Sequence, residues 1–207
     1  MAIIHRATLV PSKLELIDPW LDLQGWAAGS SGELSRRGSY RLDDPDGEVG
    51  IEGFLISRGE TTFHLLLTYR AAPLDGGDSW LIGTMQHSAL GERWAYDGLG
   101  DPVAVAALAR AAAGRQAQAE LEVHDDGAPV GRLEPDLRVH STAAGPDFAP
   151  IPRSVALPKP VSDRAVAEID LGGTRLSVAR TLGAPLPDGA QLVAEWAGGQ
   201  ATLASLT

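Results

Sequence analysis

Apolar and polar positions change period several times along the chain, and each change marks an element. Residues 2–9 alternate as a strand does, and Pro11 ends them. Ser12 and Glu15 then have the S-x-x-E spacing of a capping box, in which each side chain accepts from a free backbone N–H at a helix start. Leu14, Ile17 and Leu21 follow at helical spacing, and Pro19 either limits that helix or kinks it. Trp20 and Trp26 bracket its end, and the Gly/Ser-rich residues 29–38 read as a loop. Beyond them the period is two. Strands are expected at 40–43 and 48–57, joined by Asp44-Pro45-Asp46-Gly47, where Pro presets φ and Gly accepts a positive one. In the next strand Phe63, Leu65, Leu67 and Tyr69 share one face, with His64, Thr68 and Arg70 on the other. Two more strands are expected at 80–90 and 93–97.

The helical period then returns. Asp101 is an N-cap, Pro102 sits where its missing N–H costs nothing, and Gly114 closes the run. Between them Val103, Ala106, Ala107 and Leu108 make a slim apolar rod able to lie flat on a sheet. From Gln118 the pattern is strand-like again, with a hairpin turn at Asp125-Asp126-Gly127. Residues 143–160, rich in Pro and Ala, read as a crossing loop. The tail holds two hairpin-like pairs: 165–171 with 175–182 across Gly172-Gly173, and 191–197 with 201–206 across Gly198-Gly199. Runs of strands with two helices, without β-α-β alternation, predict an α+β fold. Its antiparallel sheet carries one or two packed helices, and a β-rich C-terminal portion follows.

Composition narrows the function classes. With 207 residues, 44% of them hydrophobic, the chain can build the core of one domain, or of one domain with a small annex. Seventeen basic and 27 acidic residues give a formal charge of −10 and no basic stripe, so nucleic acid is not an expected partner. The absence of Cys removes disulfides, thiolate zinc sites and cysteine nucleophiles. The opening Met1–Arg6 is too short in apolar residues for a secretory leader. No stretch approaches the roughly 18 apolar residues of a membrane span; Arg110 cuts the Ala-rich run near 105. The expected location is cytoplasmic, without a membrane partner.

The register that puts Asp44 and Asp46 on calcium-loop positions puts Leu42 on the first ligand and Gly53 on the last, so 43–47 reads as a turn. His87 and Ser88, with Asp97 nearby, evoke a hydrolase, but neighbours on a strand point to opposite faces and no G-x-S-x-G elbow is present. His124-Asp125-Asp126 lacks a second ligand pair at metal spacing. Phosphoryl transfer needs a phosphate-clamping lysine, a catalytic Asp and a magnesium-binding Asn or Asp. The only lysines are Lys13 at a helix start and Lys159 between prolines, and there is no Asn. No catalytic residue, cofactor or metal is therefore expected. Arg93, Trp94 and Tyr96 are of types enriched at interfaces, and they are either core or an interface or ligand face.

The stretch from Leu81 to Asp97, with the preceding Leu67-Thr68-Tyr69-Arg70-Ala71-Ala72-Pro73-Leu74 and the opening His5-Arg6-Ala7-Thr8-Leu9-Val10-Pro11, resembles the N-terminal cap domain of actinobacterial maltokinases. It is similar also to short stand-alone proteins sharing that domain, some labelled as glucan-branching. The resemblance is clearest as far as the helix ending near Gly114. It implies a curved antiparallel sheet around a helix, cystatin-like, and a division into a cap-like domain at 1–142, a crossing loop at 143–162 and a hairpin-rich portion at 163–207 packed on the first. In the family the cap precedes a kinase region that makes maltose 1-phosphate from ATP; the catalytic residues lie there, so none carries over. A branching activity would need a (β/α)₈ barrel of about 250 residues with paired carboxylates. The resemblance thus implies a non-catalytic accessory or regulatory module of maltose, trehalose or glycogen metabolism, partnered by a sugar kinase or α-glucan enzyme. The alternative is a small-sugar-binding protein with Trp94 or Tyr96 as a stacking platform.

Overall fold

Two short strands open the chain where the pattern suggested one: β1 (Ala2–His5) and β2 (Leu9–Val10). The structure, a computed structural model, describes residues 2–125, 128–143, 150–158 and 164–207. The break between the strands has a cause in hydrogen bonding. The Arg6 N–H donates to the His124 carbonyl, whereas the Thr8 N–H donates to Ser88 Oγ and the Thr8 carbonyl accepts from the Ser88 N–H. Residues 6–8 thus carry the chain from one sheet to another.

Helix α1 (Lys13–Asp22) starts as the capping box requires: Ser12 Oγ accepts from the Glu15 N–H at 3.4 Å, and the Glu15 carboxylate accepts from the Ser12 N–H at 2.8 Å. Pro19 lies inside the helix, and Ile17 and Leu21 are fully buried. Strand β3 (Leu34–Leu42) begins inside the expected 29–38 loop. Its alternation is hidden by the exposed Ser35, Arg36 and Arg37 and by a register shift between Arg36 and Gly38. There follow β4 (Gly50–Arg58), β5 (Thr61–Arg70), β6 (Leu81–His87) and β7 (Gly91–Asp97). They form a curled antiparallel sheet in the order β2-β6-β7-β5-β4-β3.

The central strands β4 and β5 of this sheet are buried on both faces. Phe54, Ile56, Phe63, Leu65 and Leu67 pack against α1, and Arg58 fastens that helix by binding Asp18 and, at 2.5 Å, Asp22. The opposite face, with Tyr40, Leu42, Ile51, Leu55 and Leu66, packs against α2 (Pro102–Ala112). Asp101 caps α2 and Gly114 follows its end at φ +69°, a conformation that favours glycine. Ala104 to Ala109, Ala111 and Ala112 are all buried, so the rod is enclosed rather than laid on one sheet.

Strands β8 (Leu121–Asp125) and β9 (Ala128–Leu133) form a small sheet with β1, in the order β1-β8-β9; the β1–β8 pair is parallel, unlike the antiparallel pairing expected. Asp126 and Gly127 of the expected turn, and 144–149 and 159–162 of the expected crossing loop, lie outside the described residues. The second cover of α2 comes from β10 (Leu137–Ser141), β11 (Val166–Asp170), β12 (Arg175–Ala179), β13 (Ala190–Trp196) and β14 (Gly199–Leu206), in the order β10-β13-β14-β12-β11. β10, which precedes the crossing loop, is an edge strand of this sheet. The two large sheets meet at both flanks. At one, Gly38 abuts Leu137 and Asp136 Oδ1 accepts from the Ser39 N–H at 3.0 Å. At the other, Phe63 bridges to Thr181 and the Arg180 carbonyl accepts from the His64 N–H. The class is α+β, as the pattern predicted, and no helix among the described residues is long and apolar enough to cross a membrane.

His64 sits in that junction, 1% exposed. Its Nδ1 faces the Ala179 carbonyl at 3.2 Å, which can only accept, so Nδ1 carries the proton and Nε2 accepts from the Tyr40 hydroxyl at 2.9 Å. Burial lowers its pKa from 6.5 to about 4, against the hydrogen bond to Ala179. The unfolded chain therefore binds more protons between those values. Stability is complete above pH 6.5, falls as the pH drops and levels off below about 4, a loss approaching ~3 kcal/mol. Urea unfolding from pH 7 to 4 should show His64→Gln less acid-sensitive than the parent; parallel curves would dismiss the assignment.

Candidate functional site

At one end of the six-stranded sheet the strand termini and β1 enclose a cleft of about 510 Å³. Two of its lining cations, Lys13 and Arg41, share a buried acid, Glu52. Lys13 comes from the first turn of α1, and Arg41 and Glu52 lie directly opposite each other on β3 and β4. Lys13 Nζ is 2.5 Å and Arg41 Nη2 3.0 Å from the same oxygen, Glu52 Oε2. Glu52 is 5% exposed, and burial pushes its carboxyl up, yet Arg41 and Lys13 together hold it below its ordinary value. Lys13 is lowered by burial, and further by Arg41 and Arg36, although Glu52 opposes this. Its ammonium lies 5.3 Å from the ring centroids of both Phe54 and Tyr69. Burial raises the Tyr69 phenol, whose hydroxyl faces the Glu52 carboxylate without good hydrogen-bond geometry.

The walls are mixed. Leu9, Leu42, Val49, Ile51, Met85 and Leu90 are apolar. On the β6–β7 side Arg93 and His87 reach the rim, where the His5 ring stands edge-on to His87 at 5.8 Å and to His124 at 6.1 Å. Burial lowers the His87 pKa, and His5, Arg93 and Lys13 push in the same direction. On the β3–β4 side the lining is acidic, with Asp43, Asp44 and Glu48. The Asp44 carboxylate accepts three N–H bonds of its own turn, from Asp46, Glu48 and Val49 at 2.9–3.1 Å.

Residues 20–101 match the family model of the maltokinase N-terminal cap domain. The match runs from the last turn of α1 through β3–β7 to the cap of α2, less than half of the chain. Arg41, Tyr69, His87 and Arg93 of the cleft lining, and Glu52 paired with Arg41, fall inside the matched segment; Lys13 and β1 precede it. No match was found among the curated proteins.

Within the matched segment the strand alternation divides the trio singled out from sequence. Arg93 lines the cleft, while Trp94 and Tyr96 point to the other face of β7. Trp94 is half-buried; Tyr96 is 2% exposed, its hydroxyl accepting from the Leu74 N–H at 2.8 Å, as a core residue would. His87 and Ser88 do not form a dyad. His87 Nδ1 accepts from the Ala89 and Leu90 N–H groups, and Asp97 is paired with Arg180. His124 is 2.6 Å from Glu122, and Asp125 pairs with Arg6. Among the described residues no three His, Asp or Glu side chains are arranged to hold a metal ion.

The Lys13-Arg41-Glu52 cluster was missed by sequence reasoning. Its one available signal was Glu52, a lone acid in the run Gly50-Ile51-Glu52-Gly53-Phe54-Leu55-Ile56. An acid buried in such a strand needs a cation from another element.

Proposed function

We propose that the chain is a non-catalytic, cap-like accessory or regulatory module of maltose, trehalose or glycogen metabolism, acting in the cytoplasm with a sugar kinase or α-glucan enzyme. The observation that carries this reading is the match of residues 20–101 to the maltokinase cap domain. Purified protein supplied with ATP and maltose is expected to form no sugar phosphate, and a sugar kinase or α-glucan enzyme is expected to co-purify from native extract. Steady turnover by the purified chain would overturn the proposal.

A second reading, binding of a small sugar, is favoured by the cleft itself, whose volume and mixed polar and apolar walls suit a small ligand. Calorimetry against maltose, trehalose and glucosamine tests it; flat titrations with all three would remove it.

A further inference from the structure

We infer that a second cleft, on the C-terminal sheet, binds a neutral mono- or disaccharide, its ring against the Trp196 indole and its hydroxyls on Gln191, Gln200 and Thr202. This site is separate from the cleft described above and does not depend on any reading of it.

The cleft exists because two strands part. β13 pairs with β14 as far as Trp196 and Gly199, whereas β12 pairs with it only from Leu176 and Leu206 to Val178 and Ala204. Beyond β12 the chain turns to the other large sheet: Thr181 bridges to Phe63, and the Leu182 N–H donates to the Thr62 carbonyl at 2.9 Å. Residues 199–202 of β14 are left with a strand on one side only. A gap of about 470 Å³ opens between them and residues 182–186.

The lining selects the ligand. None of its described residues is charged, in a chain of which 21% is charged, so the gap offers no counter-charge to an anion or a cation. Leu182 and Leu186 make one wall apolar. On the other, Thr202 Oγ1 donates to Gln191 Oε1 at 3.3 Å, which puts both side chains on one face and leaves the Gln191 amide N–H pair unengaged. Gln200, two residues before Thr202, shares that face, and its amide makes no hydrogen bond among the described residues. The Trp196 indole reaches the gap over two residues without side chains: a Cβ on Gly198 would lie 2.7 Å from its Nε1, and one on Gly199 3.8 Å from its Cζ2. Its N–H is likewise without a partner among the described residues. Amides both donate and accept, as sugar hydroxyls do, and an indole adds an apolar plane with one donor edge. An apolar ligand would leave the amides unpaired, and a charged one would lose its hydration without a counter-ion. A neutral, hydroxyl-rich ring meets both demands.

The test is calorimetry on the full chain with maltose, glucose, glucuronate and benzyl alcohol. Maltose or glucose should bind, glucuronate should bind more weakly, and benzyl alcohol should not bind. Gln200→Ala, at an exposed position, and Thr202→Val, at a half-buried one, should each weaken the sugar about fivefold, the worth of one hydrogen bond. The sugar should also shift tryptophan emission, and Trp196→Phe should abolish that shift. Sugar binding that ignores both Gln200→Ala and Thr202→Val would overturn this site and leave the sugar to the first cleft. Glucuronate or benzyl alcohol binding as tightly as glucose would overturn the assignment of a neutral, hydroxyl-rich ligand. Flat titrations with every probe would overturn this site and the sugar reading of the first cleft together.

Discussion

Asp97→Ala is expected to lower the unfolding free energy by about 3–5 kcal/mol, the range for stripping a buried charge of its partner. Asp97 and Arg180 side chains are each 4% exposed, and the guanidinium grips both carboxylate oxygens, with Nη1 at 3.0 Å from Oδ1. Arg180 also lies over the Trp26 ring at 5.1 Å, so it has no path to water when the carboxylate goes. The pair sits where β7 of one large sheet meets the residue following β12 of the other, and it ties the two halves of the core. Chemical denaturation of parent and variant measures the loss. The doubly apolar Asp97→Leu, Arg180→Met protein should recover most of it, because the desolvation cost of both ions disappears together. A double variant as unstable as Asp97→Ala would place the loss instead in the turn, where Asp97 Oδ1 accepts from the Leu99 N–H.

A second large effect is expected at Asp101, which is 0% exposed. Its two oxygens accept from Arg70 Nε and Nη2, both at 2.7 Å, and Oδ1 also accepts from the Val103 N–H at 3.0 Å. One carboxylate therefore caps α2 and anchors the end of β5 to it. Asp101→Ala removes a cap worth about 1 kcal/mol and strands a half-buried guanidinium, for a total of about 3–4 kcal/mol. Asp101→Asn keeps the cap and one acceptor, so it should lose clearly less. Thermal unfolding followed by circular dichroism separates the two; equal losses would show that charge, not capping, dominates.

The legible parts of the fold were those whose cause is local. Ser12 with Glu15, and Asp101 with Pro102, satisfy N–H groups only a few residues away, so both helix starts could be read from spacing alone. The tail hairpins were legible for the same reason. β3 was not, because its entry is exposed and bulged, and an outward Ser-Arg-Arg run carries no period. The enclosure of α2 was also hidden: β4 is buried at nearly every position, which erases the alternation that would say which face meets which layer. The candidate site was legible only at Arg93 and in the rejected His87. Lys13, Arg41 and Glu52 meet through strand register and helix docking, and Arg180 lies 83 residues from Asp97. Such pairings leave no trace in spacing.

The burial of α2 on every side also orders the birth of the protein. Its alanines have no wet face, and part of their shelter is supplied by β13 and β14, residues 190–206. A ribosome that has released residues up to about 140 therefore holds a helix with one bare flank, greasy and waiting. Only when β13 and β14 emerge can the helix be sealed, so these strands act as the lid on a core begun nearly a hundred residues earlier.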